Sequence, residues 1–283
     1  MKLKSLLFLL LKIIIYIVLI LWTVIEIYPI IFMFMSGLKT NMQFVTSPWT
    51  LPWPPQFINW WQILIGTSTR KPLALNLLNS VVICGIALVV LIFVSSLAGY
   101  AFSRHSFRGK KVLFNIFLVA IIIPAQIILI PIYKLMENLH LTNNYLGLIL
   151  LYAAFGVGFG VMIMRTAFEV IPKEIEDAAR IDGCSEYSVF WRVAMPMSKG
   201  SIFAVAAVNA VWMWGELLFA YLLMHRPAVR TLNVAILSYR GLFYDINWVL
   251  IFAGLSLSSL PLLILYLIFN KQIMKGISFG AIK

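Results

Sequence analysis

Long, continuous apolar runs alternate with short polar stretches along the chain, without the two-residue alternation of half-buried strands. Six runs are long enough to cross a hydrocarbon core of about 30 Å, which takes roughly 20 helical residues. They lie at about Ile13–Met35, Leu77–Phe102, Val112–Met136, Tyr145–Met164, Ile202–Met224 and Trp248–Phe269. Closed barrels need short alternating strands, so the pattern predicts an all-α polytopic membrane protein with six transmembrane helices in a single domain. Lys2, Lys4 and Lys12 precede the first run as in a signal peptide, but the run is too long and no small-x-small cleavage site follows. An uncleaved first span is expected.

Composition agrees. Of the 283 residues 62% are hydrophobic and 11% charged, with mean hydropathy +0.97, whereas soluble domains carry about 25% charged residues. Cys84 lies in an apolar run and Cys184 in a charged loop, so no disulfide is expected. With the N-terminus inside, 15 of the 22 Lys and Arg residues fall on the cytoplasmic side and 7 outside. The positive-inside rule therefore puts both termini in the cytoplasm. The net charge of +12 is mostly this topology signal. Nucleic-acid binding would need a basic soluble face, and the sequence has none. The outer segment Ser36–Leu75 is rich in Pro and Trp, as in the run Ser47–Pro55, and suits a structured lid at the membrane interface.

The largest cytoplasmic segment, 165–201, is not linker-like. Pro172 suits a first helical position, followed by Glu174, Glu176 and Asp177 where acids complement the helix dipole. Ile171, Ile175, Ala178, Ala179 and Asp182 fall near one face at helical spacing. Gly183 fits a left-handed stop. Ser185 can cap a second helix, with Tyr187, Phe190, Val193 and Ala194 on one face until Pro196 interrupts it. Two short helices joined at a glycine corner could lie on the bilayer or dock a protein. A bilayer helix prefers Lys and Arg on its polar face, and this one opens with acids, which favours a protein partner.

Glu-Asp-Ala-Ala-Arg-Ile-Asp-Gly (176–183), with Phe190 and Pro196 behind it, resembles the Glu-Ala-Ala loop of ABC-importer permeases. The resemblance is to the carbohydrate branch, maltose-transporter type, and to its shorter permease subunit. Asn79-Ser80, the run 98–104 with Phe107-Arg108-Gly109, Ile130–Tyr133, Arg230-Thr231-Leu232 and the tail 275–283 resemble that family too. Four positions depart from its pattern: Asp177 for a usual Glu, Met195 for a Leu, Gly158 where a Pro is expected, and Gly215 where an Asn commonly precedes Glu216.

The resemblance implies a type I importer permease fold and a subunit without its own ATPase site. Its partners would be a second permease, two ATP-binding subunits that carry ATP and Mg, and an extracytoplasmic sugar-binding protein. The setting would be the cytoplasmic membrane of a prokaryote. No Gly-x-x-x-x-Gly-Lys-Ser/Thr loop is present. By the same resemblance, Glu176, Asp177, Ala178, Ala179, Asp182, Gly183 and Pro196 couple to the ATPase, the two acids pairing with its basic groups. Gly276, Gly280, Ala281 and Lys283 would reach between the ATPases, unless the tail is simply a frayed terminus. Arg230, Thr231, Leu232 and Tyr239 would meet the binding protein, or form a plain interfacial loop.

Trp214 and Glu216 are pathway candidates in the fifth span, and Trp212 and Trp214 could stack on sugar or anchor the interface. Glu26, inside the first span, is expected to be structural. Pro124, Pro131 and Pro261 should kink their helices around a cavity. The predicted cargo is an oligosaccharide or disaccharide, with glycerol 3-phosphate or a related polyol as the alternative. A polytopic membrane enzyme would need converging catalytic groups, yet His105, His140 and His225 fall in different loops and no metal spacing appears. A lone secondary carrier usually shows paired half-repeats and buried charges, which six unequal spans do not suggest.

Overall fold

The computed structural model describes residues 2–66, 72–239 and 246–281, with side chains described from residue 8 to residue 267 within those ranges. Its regular elements are all helical. In order they are α1 (Lys2–Gly37), α2 (Asn41–Thr46), α3 (Ile58–Ile65), α4 (Ala74–Arg104), α5 (Lys110–Ile122), α6 (Leu129–Asn138) and α7 (Tyr145–Val170). There follow α8 (Lys173–Ile181), α9 (Glu186–Val189), α10 (Met195–Met197), α11 (Lys199–Gly215), α12 (Leu218–Leu223), α13 (Leu232–Leu237) and α14 (Trp248–Ala281). A π-helix, Phe190–Ala194, lies between α9 and α10. The chain divides into two compact units, Met1–Ala74 with Ile236–Leu260, and Leu75–Ala235 with Pro261–Lys283.

In the first unit, α1 is apolar all round and exposed over most of its length, as expected of a helix solvated by lipid. The Pro- and Trp-rich segment after it is ordered by specific polar contacts. Thr40 and Gln43 form a reciprocal capping box that starts α2. Lys39 is fully buried, and its Nζ donates to the carbonyls of Ser47 (3.0 Å) and Pro48 (2.6 Å). Burial lowers its pKa. Asn59 donates to the carbonyls of Gly37 and Lys39, both at 2.9 Å. Outside this frame Trp49, Leu51 and Trp53 stay exposed, as interface anchors do.

The second unit is organised around α7. Lipid gives no hydrophobic drive for helix pairing, so close backbone approach at small residues supplies the packing. A Cβ on Gly156 would overlap the side chain of Leu91, and one on Gly160 the hydroxyl of Ser95, so these glycines let α4 lie directly against α7. Gly158 faces α5, where a Cβ would come within 2.8 Å of the Phe117 carbonyl oxygen. The departure from proline at 158 thus has a packing reason. Leu91, Leu148, Tyr152, Met164, Phe168, Val205 and Met213 fill the core between these helices.

Four described helices are each long and apolar enough to cross a membrane: Phe8–Gly37, Ala74–Arg104, Tyr145–Val170 and Trp248–Leu267. Glu186–Met197 with Lys199–Gly215, bent by 72°, makes a fifth if taken as one span. The third and fifth predicted spans are interrupted. The third breaks over 123–128, at Pro124, into α5 and α6. Pro131 causes no kink, because it is the third residue of α6, where the N–H it lacks would have no intrahelical acceptor. The fifth breaks at Glu216 and Leu217 without a proline. Pro261 lies inside α14. That helix continues to Ala281, so Gly276, Gly280 and Ala281 are helical, while Lys283 lies outside the described residues.

Candidate functional site

The predicted helical corner is present between α7 and α11. Pro172 takes the N-cap position of α8 (φ −57°, ψ 135°), one residue earlier than expected. Gly183 has φ +87°, the left-handed conformation that ends a helix. The Ser185 hydroxyl accepts from the Ser188 N–H and starts α9. Beyond it the π-helix sets Phe190 against Tyr100 (ring centroids 5.1 Å apart) and Phe168 (6.2 Å), and Trp191 against Phe93 (6.2 Å). Pro196 is exposed at the start of α10, and the chain turns into α11 after it, at Ser198.

The charges of α8 are arranged differently from expectation. Glu176, assigned to a partner's basic groups, is 1% exposed and already paired within the chain. Arg104 at the end of α4 donates through Nε to its Oε1 at 2.9 Å, with a second guanidinium nitrogen 2.8 Å away, and also donates to the Ile171 carbonyl at 2.9 Å. The Tyr100 hydroxyl donates to the other carboxylate oxygen at 3.2 Å. Asp177, with a side chain 63% exposed, accepts from Arg180 at 2.6 Å. Arg180 also reaches across the corner to Glu186 with two hydrogen bonds, 2.6 and 3.0 Å. Those bonds hold the Glu186 carboxyl below its ordinary pKa and raise that of Arg180.

With the Glu176 carboxylate turned inward, two large apolar side chains stand on the outer surface of the corner among exposed polar ones such as Glu174, Asp177 and Glu186. Ile181 is 87% and Tyr187 72% exposed, and Ile175, Ala178, Asp182 and Gly183 are exposed beside them, while Ala179 is half-buried. A groove of about 710 Å³ runs along the corner, lined by Asp182, Gly183, Ser185, Tyr187, Trp191 and Arg192 among others. A sequence pattern cannot assign Arg104 and Tyr100 to this site, because Glu176 lies 72 and 76 positions away from them. Ile181 reads as one more apolar position in a helical run.

A second feature lies at the helix breaks. The interruptions at 123–128 and 216–217 open on one cavity of about 400 Å³, lined by Gln126, Trp212, Gly215 and Glu216 with apolar neighbours. Glu216 accepts from the N–H groups of Phe219 (2.8 Å) and Ala220 (3.0 Å) and from the Tyr152 hydroxyl (2.9 Å). Its carboxylate thereby starts α12, which explains a break without proline. Trp214 does not line the cavity. It packs against the core, and its carbonyl accepts from Asn233 at 2.7 Å. Trp212 takes the place expected of it.

The loop before α13 is pinned by the Asn79-Ser80 pair. Asn76 and Asn79 each donate to the Arg230 carbonyl, at 2.9 and 3.0 Å, and the Ser80 hydroxyl accepts from the Leu232 N–H at 2.8 Å. Thr231 and Leu232 are therefore buried, not offered to a partner as expected, and Tyr239 is buried as well. The exposed part of the loop is 225–228, with Arg230 half-exposed beside it.

The family model of "Binding-protein-dependent transport system inner membrane component" matches residues 91–278, which takes in the corner, the cavity and the pinned loop. The chain belongs to this family. The permease is 31% identical over 259 residues to the probable ABC transporter permease protein YurM of Bacillus subtilis, covering 90% of this chain and 83% of that one. It is 29% identical to the trehalose/maltose transport system permease protein MalG of Thermococcus litoralis (93% and 94% covered). With the diacetylchitobiose uptake system permease protein NgcG of Streptomyces coelicolor it shares 28% identity (94% and 87% covered). Among solved structures, a bacterial ABC transporter involved in the import of the acidic polysaccharide alginate matches with TM-score 0.79 at 22% identity, over 93% of the permease and 96% of that chain. The fold is thus that of an ABC-importer permease, and the relatives are transport subunits rather than enzymes.

Proposed function

We propose that the protein is the permease subunit of an ATP-driven importer that takes up a disaccharide or oligosaccharide delivered by an extracytoplasmic binding protein. It works beside a second permease and two ATPase subunits, which carry ATP and Mg, in the cytoplasmic membrane of a prokaryote. In this reading the chain crosses six times with both termini inside, the third and fifth crossings being interrupted helices. The corner 171–196 is the element the ATPase moves, and the tail from Gly276 to Lys283 reaches between the ATPases.

One observation carries the reading: a surface hairpin that buries its carboxylate Glu176 and presents Ile181 and Tyr187 outward. Two large apolar side chains held out on one corner gain nothing from water, so Ile181 and Tyr187 with the exposed acids around them fit a protein cleft of mixed character. The sugar assignment is supported by relatives named for trehalose/maltose and diacetylchitobiose uptake. The test is uptake of radiolabelled oligosaccharides by vesicles holding the complete complex. Transport is expected only with ATP and with the ATPase subunits present. Uptake without nucleotide, or without those subunits, would overturn the reading.

A further inference from the structure

Two of the predicted crossings are broken, and the breaks share the cavity lined by Gln126, Trp212, Gly215 and Glu216. Non-helical backbone at membrane depth is tolerated only where it is buried in protein or lines a water-filled cavity. Many secondary transporters place substrate at discontinuous helices of this kind, and the same backbone physics holds here.

The lining has the parts a sugar needs. Trp212 is 37% exposed, and its ring is held from within by Tyr152 and Phe155, each with ring centroids 5.6 Å away. An exposed indole offers an electron-rich surface to the C–H groups of a pyranose. The Gln126 amide and the Trp212 indole N–H have no hydrogen-bond partner among the described residues and lie against the cavity. Glu216 is locked by three hydrogen bonds, one to Oε1 and two to Oε2, which leaves Oε1 able to accept from one further hydroxyl. No Lys, Arg or His is in the lining.

We propose that this cavity is a sugar-binding station on the path through the permease, and that it takes neutral saccharides. A fixed carboxylate with no cation beside it accepts hydroxyl donors and repels a uronate. A Cβ at Gly215 would meet nothing within 4 Å, so the cavity reaches the backbone there and a ring can lie close to it. The inference rests on the importer reading above and assigns its substrate class and contact residues.

The experiment uses vesicles containing the complete complex, saturating loaded binding protein and ATP, with neutral oligosaccharides of two to four sugar units and oligoalginate as probes. Wild-type protein is expected to take up a neutral probe. Trp212→Ala, Trp212→Leu and Gly215→Leu should each lower that rate at least tenfold. Trp212→Phe, which keeps an aromatic face, should stay within threefold of wild type, and Gly215→Leu, whose side chain enters open space, should lose uptake without moving the midpoint of thermal unfolding, which a merely packing role for the lining would not give. Wild-type rates in Trp212→Leu and Gly215→Leu would overturn the station while leaving the importer reading intact. A preference for oligoalginate would overturn the neutral class. Absence of ATP-dependent uptake of any probe by wild type would overturn the importer reading beneath it.

Discussion

Arg104 and Glu176 form a buried ion pair with a nitrogen-to-oxygen distance of 2.8 Å, joining the end of α4 to the middle of α8 across 72 positions of sequence. Tyr100 and the Ile171 carbonyl complete its hydrogen bonds, so the cost of burying two charges is offset by satisfied partners. Removing Glu176 leaves the Arg104 guanidinium buried without a counter-charge, which costs about 3–5 kcal/mol in comparable pairs, whereas removing Arg104 leaves Glu176 with the weaker contact of Arg180 at 3.6 Å. The pair therefore ties the corner to the long helix, so that a force applied at α8 is delivered to α4. Glu176→Ala and Arg104→Ala should each destroy ATP-driven uptake, and limited proteolysis should cut between 171 and 185 faster than in wild type. Unchanged cleavage in both variants would show that the pair does not hold the corner.

Ile181 is the most exposed large apolar side chain of the corner, at 87%. Burying it against a partner is worth about 1.5–3 kcal/mol, so Ile181→Asp should weaken capture of the ATPase subunit at least tenfold in a pull-down. The midpoint of thermal unfolding of the permease should not move, because the side chain touches little within its own chain. A fall in that midpoint by several degrees, or undiminished capture, would contradict the docking role.

The corner was legible in sequence wherever the cause was local. Gly183 at a left-handed position, Ser185 as a cap and the long apolar runs each follow from neighbours within a few residues. What was not legible was decided at long range. Whether Glu176 faces a partner or the core depends on Arg104, and whether Thr231 and Leu232 are exposed depends on Asn79 and Ser80, which hold that loop from roughly 150 positions away. The break at Glu216 has no proline to announce it, because it is made by a carboxylate capping the next helix and a tyrosine hydroxyl 64 positions off. Distinguishing Trp212 from Trp214 needs the direction of α11 relative to that break.

Gly183 has open space where a Cβ would stand, so within the chain a substitution there is opposed only by its φ of +87°. For an ordinary side chain that conformation costs about 1–2 kcal/mol, least for Asn and most for β-branched residues. Gly183→Val should abolish uptake with the protein still in the membrane, and Gly183→Asn should retain a large part of it. Equal loss in both would point to the partner's need for space at 183 rather than to backbone strain. Retained uptake and ATPase stimulation in Gly183→Val would remove the turn from the coupling mechanism.

Across the corner, Arg180 holds Glu186 with two hydrogen bonds, and Asp177 shares the same guanidinium. The Glu186 carboxyl is depressed below its ordinary value, so the folded corner binds fewer protons than the unfolded one at mildly acid pH. The stabilisation is complete above the unfolded carboxylate value of about 4.3 and is lost as pH falls through the lower folded value. Both groups reach solvent, so the pair is worth only about 0.2–1 kcal/mol. Hydrogen exchange over 180–190 should accelerate in wild type between pH 5 and pH 3 beyond the intrinsic pH effect. Glu186→Gln should exchange faster than wild type at pH 7 and show a smaller excess acceleration over that acid range. A profile in Glu186→Gln that follows wild type throughout would mean that Gly183 and the apolar packing behind Phe190 hold the two helices at their angle without the charged strap.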